Sequence, residues 1–243
     1  MNRLNNVRAA MVFGIVCGIL AATSNAADEL PSTLKPVPRE GRHAARHEKI
    51  NERIKQGNVD LIFVGDSITQ GWEGNGKDVW AKYYGERNAT NLGIGGDRTQ
   101  HVLWRLEHGN VDGIAPKLAV LMIGTNNSNR DDNTVEEIGA GIKAIVESLR
   151  EKLPQTKVLI LAVFPRGPKP SPQREKNAKA SEIASKLADD KNVFYLDIGD
   201  EFLTDDGELT KEIMPDYLHL SPKGYEIWAA AIEPKVAELM GDK

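Results

Sequence analysis

The chain has 243 residues, of which 40% are hydrophobic and 27% charged, and its formal net charge is −4 at pH 7. This length and composition are typical of a globular protein with one sizeable core. The negative charge argues against nucleic acid as a partner, and the sequence shows no cluster of Lys and Arg of the kind that follows a phosphate backbone.

The first residues have the layout of a secretory signal peptide. Arg3 and Arg8 precede an uncharged apolar stretch over residues 9–22, and Ser24-Asn25-Ala26 supplies the small residues that a signal peptidase requires. The stretch is short for a membrane span, and an uncleaved anchor is the alternative. Cleavage after Ala26 would remove the only cysteine and change the formal charge from −4 to −6. We therefore expect residues 1–26 to be removed from an exported protein, periplasmic or extracellular, without disulfides or stable membrane insertion.

Residues 27–58 are predicted to form a leader segment and an N-terminal helix. Residues 28–38 contain three prolines and few apolar side chains, which indicates an extended leader. Residues 39–56 are highly charged, with Ile50 and Ile54 spaced to face inward from a helix. We assign residues 59–243 to one domain.

Short apolar runs alternate with helix patterns in that domain. The predicted strands cover residues 61–64, 118–123, 158–163 and 193–196, with 89–92 as a weaker fifth. Helix starts are predicted at the capping box Thr134-Val135-Glu136-Glu137 and at the N-cap–proline pairs Ser171-Pro172 and Ser221-Pro222. This alternation predicts an α/β fold in which helices cover both faces of a parallel sheet.

Three residue types needed by a nucleophilic hydrolase occur in suitable places. Gly65-Asp66-Ser67 follows the first strand, so Ser67 should lie at the carboxyl end of a strand, where ligands bind in open α/β sheets. Asp216 and His219 are close enough in sequence to meet across one turn. His219 is the expected general base for Ser67, and Asp216 would orient its imidazole. We assign Asp66 to the turn that presents Ser67 rather than to acid catalysis.

Two more strand ends carry hydrogen-bond donors. A glycine-rich segment, residues 91–97, follows the second strand, and residues 123–127 follow the third. The backbone N–H groups of Ser67 and Gly96 and the side-chain amide of Asn126 are predicted to form an oxyanion hole.

Nucleotide and metal sites are poorly supported. Gly93-Ile94-Gly95-Gly96 lacks the G-x-G-x-x-G spacing and follows the second strand rather than the first. His43 and His47 belong to a charged face that we interpret as solvated, and His101 and His108 fall in a helix pattern as surface or packing residues. We expect no metal and no cofactor.

Taken together, the motifs resemble those of the SGNH, or GDSL, hydrolase superfamily. Its four signature residues would correspond here to Ser67, Gly96, Asn126 and His219. Within it, the chain is most similar to the catalytic alpha subunits of intracellular type I platelet-activating factor acetylhydrolase. The runs that carry this similarity are Phe63-Val64-Gly65-Asp66-Ser67, residues 93–105, Gly124-Thr125-Asn126-Asn127, Pro165-Arg166-Gly167, Lys176-Asn177-Ala178-Lys179 and residues 216–220.

The resemblance implies a flavodoxin-like three-layer α/β/α sandwich with about five parallel strands. It also implies metal-free hydrolysis of acetyl or other short acyl esters, and it is compatible with homodimers. The acyl pocket would be walled by Ile68, Thr125 and Leu218. The enzyme class implied is a carboxylic ester hydrolase.

The signal peptide distinguishes this chain from the intracellular enzymes that it resembles. Exported members of the superfamily often resemble polysaccharide deacetylases, so an O-acetylated carbohydrate is the expected substrate class. The alternatives are a lysophospholipase or thioesterase, a phospholipid acetylhydrolase, and a non-catalytic glycan-binding protein. An ordinary α/β-hydrolase would carry its nucleophile in G-x-S-x-G, which is not the motif here.

Overall fold

A computed structural model describes residues 29–130 and 132–242 of the chain. At its centre lies a sheet of five parallel strands in the order β2-β1-β3-β4-β5. The strands are β1 Leu61–Gly65, β2 Ala89–Asn91, β3 Leu118–Met122, β4 Lys157–Leu161 and β5 Val193–Leu196. All five predicted strands are confirmed, including the weak second one, which forms a short edge strand.

Helices cover the sheet on both sides. The α-helices of the described residues are α1 Arg42–Lys55, α2 Ser67–Gln70, α3 Lys77–Tyr84, α4 Thr99–Glu107, α5 Val135–Lys152, α6 Pro172–Ser185 and α7 Pro222–Met240. The three helix starts predicted from capping motifs are confirmed, because the Ser171 and Ser221 hydroxyls cap α6 and α7 and the Thr134 hydroxyl accepts a hydrogen bond from the Glu137 N–H.

Two hydrophobic cores lie on opposite faces of the sheet. Successive side chains of a strand point to opposite faces, so Ile62 and Val64 join the core beneath α1, α4, α5 and α6. Leu61 and Phe63 join the core beneath α3 and α7. All five residues of β1 are buried, as expected for a central strand covered on both sides. The fold is therefore a three-layer α/β/α sandwich with the flavodoxin-like strand order, as predicted.

The leader packs against the helical layer. A 3₁₀ turn, Ser32–Leu34, interrupts the extended segment, and Thr33 is fully buried. The Thr33 carbonyl accepts a hydrogen bond of 3.0 Å from the Thr99 hydroxyl at the start of α4.

The sheet order sets the place of the site. From β1 the chain moves to β2 at one edge, and from β3 it continues toward the other edge, so the order reverses between β1 and β3. The carboxyl ends of these two strands form the crevice in which open α/β sheets bind ligands. Ser67 follows β1 and Asn126 follows β3, so both lie at this crevice.

No helix among the described residues combines the length and the apolar character that crossing a bilayer would require.

Candidate active site

A tight turn at the end of β1 presents Ser67. Asp66 caps α2 by accepting a hydrogen bond of 3.0 Å from the Ile68 N–H, and Ser67 is the first helical residue. A Cβ on Gly65 would lie 2.5 Å from the Met122 carbonyl oxygen of the neighbouring strand, so the turn has no room for a larger residue. The Tyr225 hydroxyl on α7 donates a 2.6 Å bond to the Ile68 carbonyl and anchors the turn from the other side.

A second turn brings Asp216 and His219 to the serine. The His219 Nε2 atom lies 2.9 Å from the Ser67 Oγ atom, and His219 Nδ1 lies 2.6 Å from Asp216 Oδ2. The other Asp216 oxygen accepts hydrogen bonds from the Leu218 and His219 N–H groups at 3.0 and 2.7 Å. The turn requires Tyr217 at φ 60°, in the left-handed region that non-glycine residues rarely adopt. The three side chains therefore form one chain of hydrogen bonds.

The carboxylate fixes the direction of these hydrogen bonds. Partial burial of Asp216 raises its pKa. Hydrogen bonds from the side chain and the backbone of His219 lower the pKa by more than burial raises it, so the pKa of Asp216 stays below its usual value. An ionised Asp216 can only accept, so Nδ1 of His219 carries the hydrogen and Nε2 is left to accept from the Ser67 hydroxyl. The Asp216 and His219 side chains are 56% and 45% exposed, so the site is open to water.

Gly95, the neighbour of the predicted donor Gly96, lies beside Ser67. Gly96 adopts φ +74°, and an ideal Cβ on its neighbour Gly95 would lie 3.8 Å from the Ser67 Cβ. The Gly95 N–H itself is committed to the Gln70 side-chain oxygen at 2.7 Å. Among the described residues, nothing accepts a hydrogen bond from the N–H of Ser67 or of Gly96. Neither group is thus committed to an acceptor within the part of the chain that the structure describes.

The third predicted donor, Asn126, is already engaged. Its Nδ2 atom donates to the Asp97 carbonyl oxygen at 2.9 Å and to Asp66 Oδ2 at 3.2 Å. An amide nitrogen has two hydrogens, so donation to a substrate oxygen requires exchange of one of these bonds, and the longer one to Asp66 is the weaker.

Asp66 is a buried carboxyl group beside Ser67. It is fully buried, and burial raises its pKa to about 7. The hydrogen bond from the Ile68 N–H acts in the other direction and lowers the pKa, but its effect is smaller. Asp97 raises this pKa further. The capping bond agrees with the structural role that the sequence suggested for Asp66, and its contact with Asn126 was not foreseen.

Three arginines brace the glycine loop, which we define as residues 93–97. Arg46 Nε donates to the Gly93 carbonyl oxygen at 2.6 Å, and Arg39 Nη1 donates to the Gly95 carbonyl oxygen at 2.7 Å. Arg39 also contacts Asp97 at 3.1 Å, and the buried Arg105 binds the other oxygen of Asp97 at 2.8 Å. This support was not predictable from the sequence, because the charged segment that holds Arg39 and Arg46 has the pattern of a solvated helix face.

The residues expected to wall the acyl pocket differ in exposure. Ile68 and Thr125 are almost fully buried, and only Leu218 is partly exposed. Leu218, Tyr217 and Arg166 line a cavity of about 260 Å³ beside Asp216. Arg166 donates to the Thr125 hydroxyl and carbonyl oxygens at 3.2 and 3.1 Å, which ties this wall to the end of β3.

The other histidines have structural contacts. His47 is buried and contacts the side-chain amides of Asn51 and Asn110 at 3.1 Å each. His101 Nδ1 accepts a 3.0 Å bond from the Arg98 N–H, and His108 stacks on Trp104 at 4.0 Å between ring centroids. Within residues 29–130 and 132–242, no three His, Cys, Asp or Glu side chains cluster as metal ligands would.

Comparison with known proteins gives a consistent result. A family model described as the GDSL-like lipase/acylhydrolase family matches residues 63–227. The alpha1 subunit of human platelet-activating factor acetylhydrolase IB is 37% identical over 211 residues, which cover 86% of this chain and 89% of that protein. The alpha2 subunit from rat is 38% identical over 200 residues, covering 81% and 84%.

Solved structures share the fold at lower identity. A GDSL-like lipase from Bacteroides thetaiotaomicron superposes with a TM-score of 0.60 at 20% identity, covering 81% of this chain and 96% of that one. The acetylxylan esterase Axe2 from Geobacillus stearothermophilus superposes with a TM-score of 0.59 at 19% sequence identity, covering 77% of this chain and 96% of that one. The carbohydrate acetylesterase Est24 from Sinorhizobium meliloti superposes with a TM-score of 0.58 at 23% sequence identity, covering 75% of this chain and 100% of that one.

Proposed function

This chain belongs to the GDSL-like lipase/acylhydrolase family of ester hydrolases, and from that premise we propose that it removes acetyl or other short acyl groups from an O-acetylated carbohydrate. The observation that carries the proposal is the 2.9 Å contact between His219 Nε2 and Ser67 Oγ, with Asp216 bound to the other imidazole nitrogen. Two structural neighbours are named as a carbohydrate acetylesterase and an acetylxylan esterase, and these names support an acetylated carbohydrate as the substrate class.

The proposed mechanism has two halves. His219 takes the proton of the Ser67 hydroxyl as the oxygen attacks the ester carbonyl carbon. The tetrahedral intermediate then expels the alcohol, which leaves with the proton from His219. A water molecule, deprotonated by His219, attacks the acyl carbon on Ser67. The bond from that carbon to Ser67 Oγ then breaks, His219 returns the proton to Oγ, and the acyl group leaves as a carboxylic acid. Asp216 orients the imidazole and stabilises its charged form in both halves.

The oxyanion receives three donors in this proposal. The N–H groups of Ser67 and Gly96 are available in the free protein, and Asn126 would exchange its 3.2 Å bond to Asp66 for one to the substrate oxygen. Loss of one such donor usually costs about 10²–10³-fold in kcat.

Other substrates within the family have separate support. The relatives named as platelet-activating factor acetylhydrolases favour a phospholipid acetyl ester as the second candidate. Lysophospholipase or thioesterase activity would require a long acyl chain to bind beside Leu218. A non-catalytic glycan-binding protein would have no use for the hydrogen-bonded chain from Ser67 through His219 to Asp216.

Chromogenic esters of increasing chain length test the proposal. We expect purified mature protein to hydrolyse 4-nitrophenyl acetate faster than the butyrate and octanoate esters. Ser67→Ala and His219→Ala should lose at least about 10⁴-fold in kcat while keeping the wild-type circular dichroism spectrum. Ser185→Ala, a change on α6, is the matched control and should leave turnover unchanged. A preference for octanoate would favour lipids, and serine-independent turnover would contradict the mechanism.

Export is part of the proposal. The proposed signal peptide, residues 1–26, lies outside the described residues. Expression of the full chain in a bacterial host should yield a periplasmic or extracellular product whose N-terminal sequence begins at residue 27. A full-length product in the membrane fraction would indicate the uncleaved anchor instead. The homodimer that the resemblance allows would be measured on the same product by light scattering.

A further inference from the structure

A groove runs along α1 and extends to Gly95, which adjoins Ser67. Its first cavity, of about 540 Å³, is bordered by the α1 side chains Arg42, Arg46 and Lys49 and by Gln70 and Gly95. Gly95 and Gln70 are the residues that hydrogen-bond to each other next to Ser67. We call this feature the α1 groove. The lining of the groove therefore includes a direct neighbour of Ser67.

The groove continues away from the site toward the sheet edge. A second cavity, of about 320 Å³, shares Arg46 and Lys49 with the first and extends to Arg53 and to the edge strand β2. Arg42, Arg46, Lys49 and Arg53 thus form a row of cations on one face of the helix, at the i, i+4, i+7, i+11 spacing that places side chains on one stripe. The formal charge of the whole chain is −4, so this row of positive charges has the opposite sign to the chain as a whole.

The four cations divide into two kinds. Arg46 binds the Gly93 carbonyl oxygen and both oxygens of Glu73, and Arg53 binds the carbonyl oxygens of Gly57 and Asn58. Arg42 and Lys49 are exposed and have no hydrogen-bond or ion-pair partner among the described residues. Glu73 is the only carboxylate among the described residues that line the groove, and Arg46 neutralises it. Two positive charges therefore face the groove uncompensated.

We propose that the α1 groove binds a carboxylate-bearing saccharide chain, so that the substrate is an O-acetylated acidic oligo- or polysaccharide. This inference rests on the proposed function and names the alcohol half of its ester. Arg42 and Lys49 are seven residues apart on α1, which places them about 10 Å apart along the helix axis. Repeated cations along an elongated groove suit a chain with repeated negative charges better than they suit a single lipid headgroup.

Matched acidic and neutral substrates test the inference. We would measure acetate release from acetylated oligogalacturonate and from acetylated xylo-oligosaccharide, with wild type and the double variant Arg42→Gln/Lys49→Gln. We expect the double variant to lose on the order of tenfold in kcat/KM on the acidic substrate, mainly through KM, and to change less than about twofold on the neutral one. Wild-type preference for the acidic substrate should shrink in about 1 M NaCl, where the charges are screened.

A second double variant controls for net charge. Lys55→Gln/Lys152→Gln removes the same two charges from exposed positions that line neither cavity, and should behave as wild type on both substrates. Equal losses on both substrates, equal losses in the control, or equal kcat/KM of wild type on both substrates would overturn the inference.

Further measurements separate this inference from the proposed function. Unchanged turnover of 4-nitrophenyl acetate by Arg42→Gln/Lys49→Gln would show that the variant keeps its catalytic apparatus. If wild type hydrolyses no acetyl ester, the proposed function fails, and calorimetric binding of unacetylated oligogalacturonate to wild type and variant still tests the groove. If wild type instead binds vesicles containing phosphatidylserine through Arg42 and Lys49 and does not bind oligogalacturonate, the groove serves a membrane surface and the inference is wrong.

Discussion

At the scale of single residues, Asp66 has the most unusual environment. It sits fully buried between the N-terminus of α2 and Asn126, and burial raises its pKa from 3.8 to about 7. Between those pH values the folded state holds a proton that the unfolded state has released. The contribution of this group to stability is therefore present below about pH 4 and is lost as the pH rises to about 7.

The variant Asp66→Asn tests this environment because its side chain stays uncharged at every pH. We expect its free energy of unfolding, relative to wild type, to rise by a few kcal/mol between about pH 4 and pH 8, since one pKa unit corresponds to about 1.4 kcal/mol. Urea unfolding of both proteins at the two pH values measures the change. Groups distant from Asp66 titrate alike in the two proteins and cancel in the comparison, so a difference that stays constant with pH would contradict the raised pKa of Asp66.

Arg39 acts on the site through the glycine loop. Its guanidinium binds the Gly95 carbonyl oxygen and Asp97, the residues on either side of Gly96. We expect Arg39→Gln to lower kcat on 4-nitrophenyl acetate by about tenfold with little change in KM, because a misplaced Gly96 N–H weakens binding of the oxyanion rather than of the ester.

Arg150→Gln is the matched control for Arg39→Gln. Arg150, on α5, also binds backbone carbonyl oxygens, those of Pro154 and Thr156, and lines neither cavity of the α1 groove. A loss of kcat in both variants would indicate a general effect of these arginines on the fold. A rise in KM at constant kcat would assign Arg39 to substrate binding.

Sequence patterns revealed some site residues and hid others. Ser67 was identifiable because it follows a predicted strand, and His219 because it precedes a helix cap. The structure places their side chains in contact. Arg39 and Arg46 have no such signature, since their function depends on contact with carbonyl groups about fifty residues away. The exposure of Leu218 beside the buried Ile68 likewise depends on three-dimensional packing.

At the scale of elements, α1 belongs to the core although it precedes the segment that the family model matches. Ile50 and Ile54 are 5% and 2% exposed and pack with residues of β1 and α4. The spacing of these two isoleucines predicted the inward face from sequence. What the spacing could not predict is that the adjoining stripe of cations would border a groove, because that depends on where β2 and the glycine loop lie.

The contribution of α1 can be measured at Ile54. Ile54→Ala removes a buried side chain and leaves a cavity, so we expect it to lower the free energy of unfolding by about 2–5 kcal/mol. Lys55→Ala, at the next position and exposed, should change it by less than about 0.5 kcal/mol. Urea titrations followed by circular dichroism would compare the two. A loss below about 1 kcal/mol in Ile54→Ala would mean that α1 is only loosely attached.

At the scale of the whole molecule, the sheet couples two cores. Trp72, Trp80 and Trp228 lie on the α3 and α7 side, where they surround Phe63, and Trp104 lies on α4 on the other side. The fold class was predictable because alternating strands and helices permit few arrangements.

We expect both cores to unfold together, because β1, β3 and β4 contribute side chains to each of them. In Trp104→Phe, tryptophan fluorescence reports only the α3 and α7 side, whereas far-ultraviolet circular dichroism reports the whole molecule. The two urea transitions should coincide. A fluorescence midpoint displaced from the circular dichroism midpoint would show that the two sides unfold separately.

The contact between Ser67 and His219 joins residues 152 positions apart, one following the first strand and the other following the last. Local helices form early in folding, but contacts of such long range form late, because the intervening chain must first be ordered. During synthesis on the ribosome, His219 is also added to the chain long after Ser67. We therefore expect Ser67 to lack its contact with His219 during most of synthesis, and esterase turnover to return late in refolding.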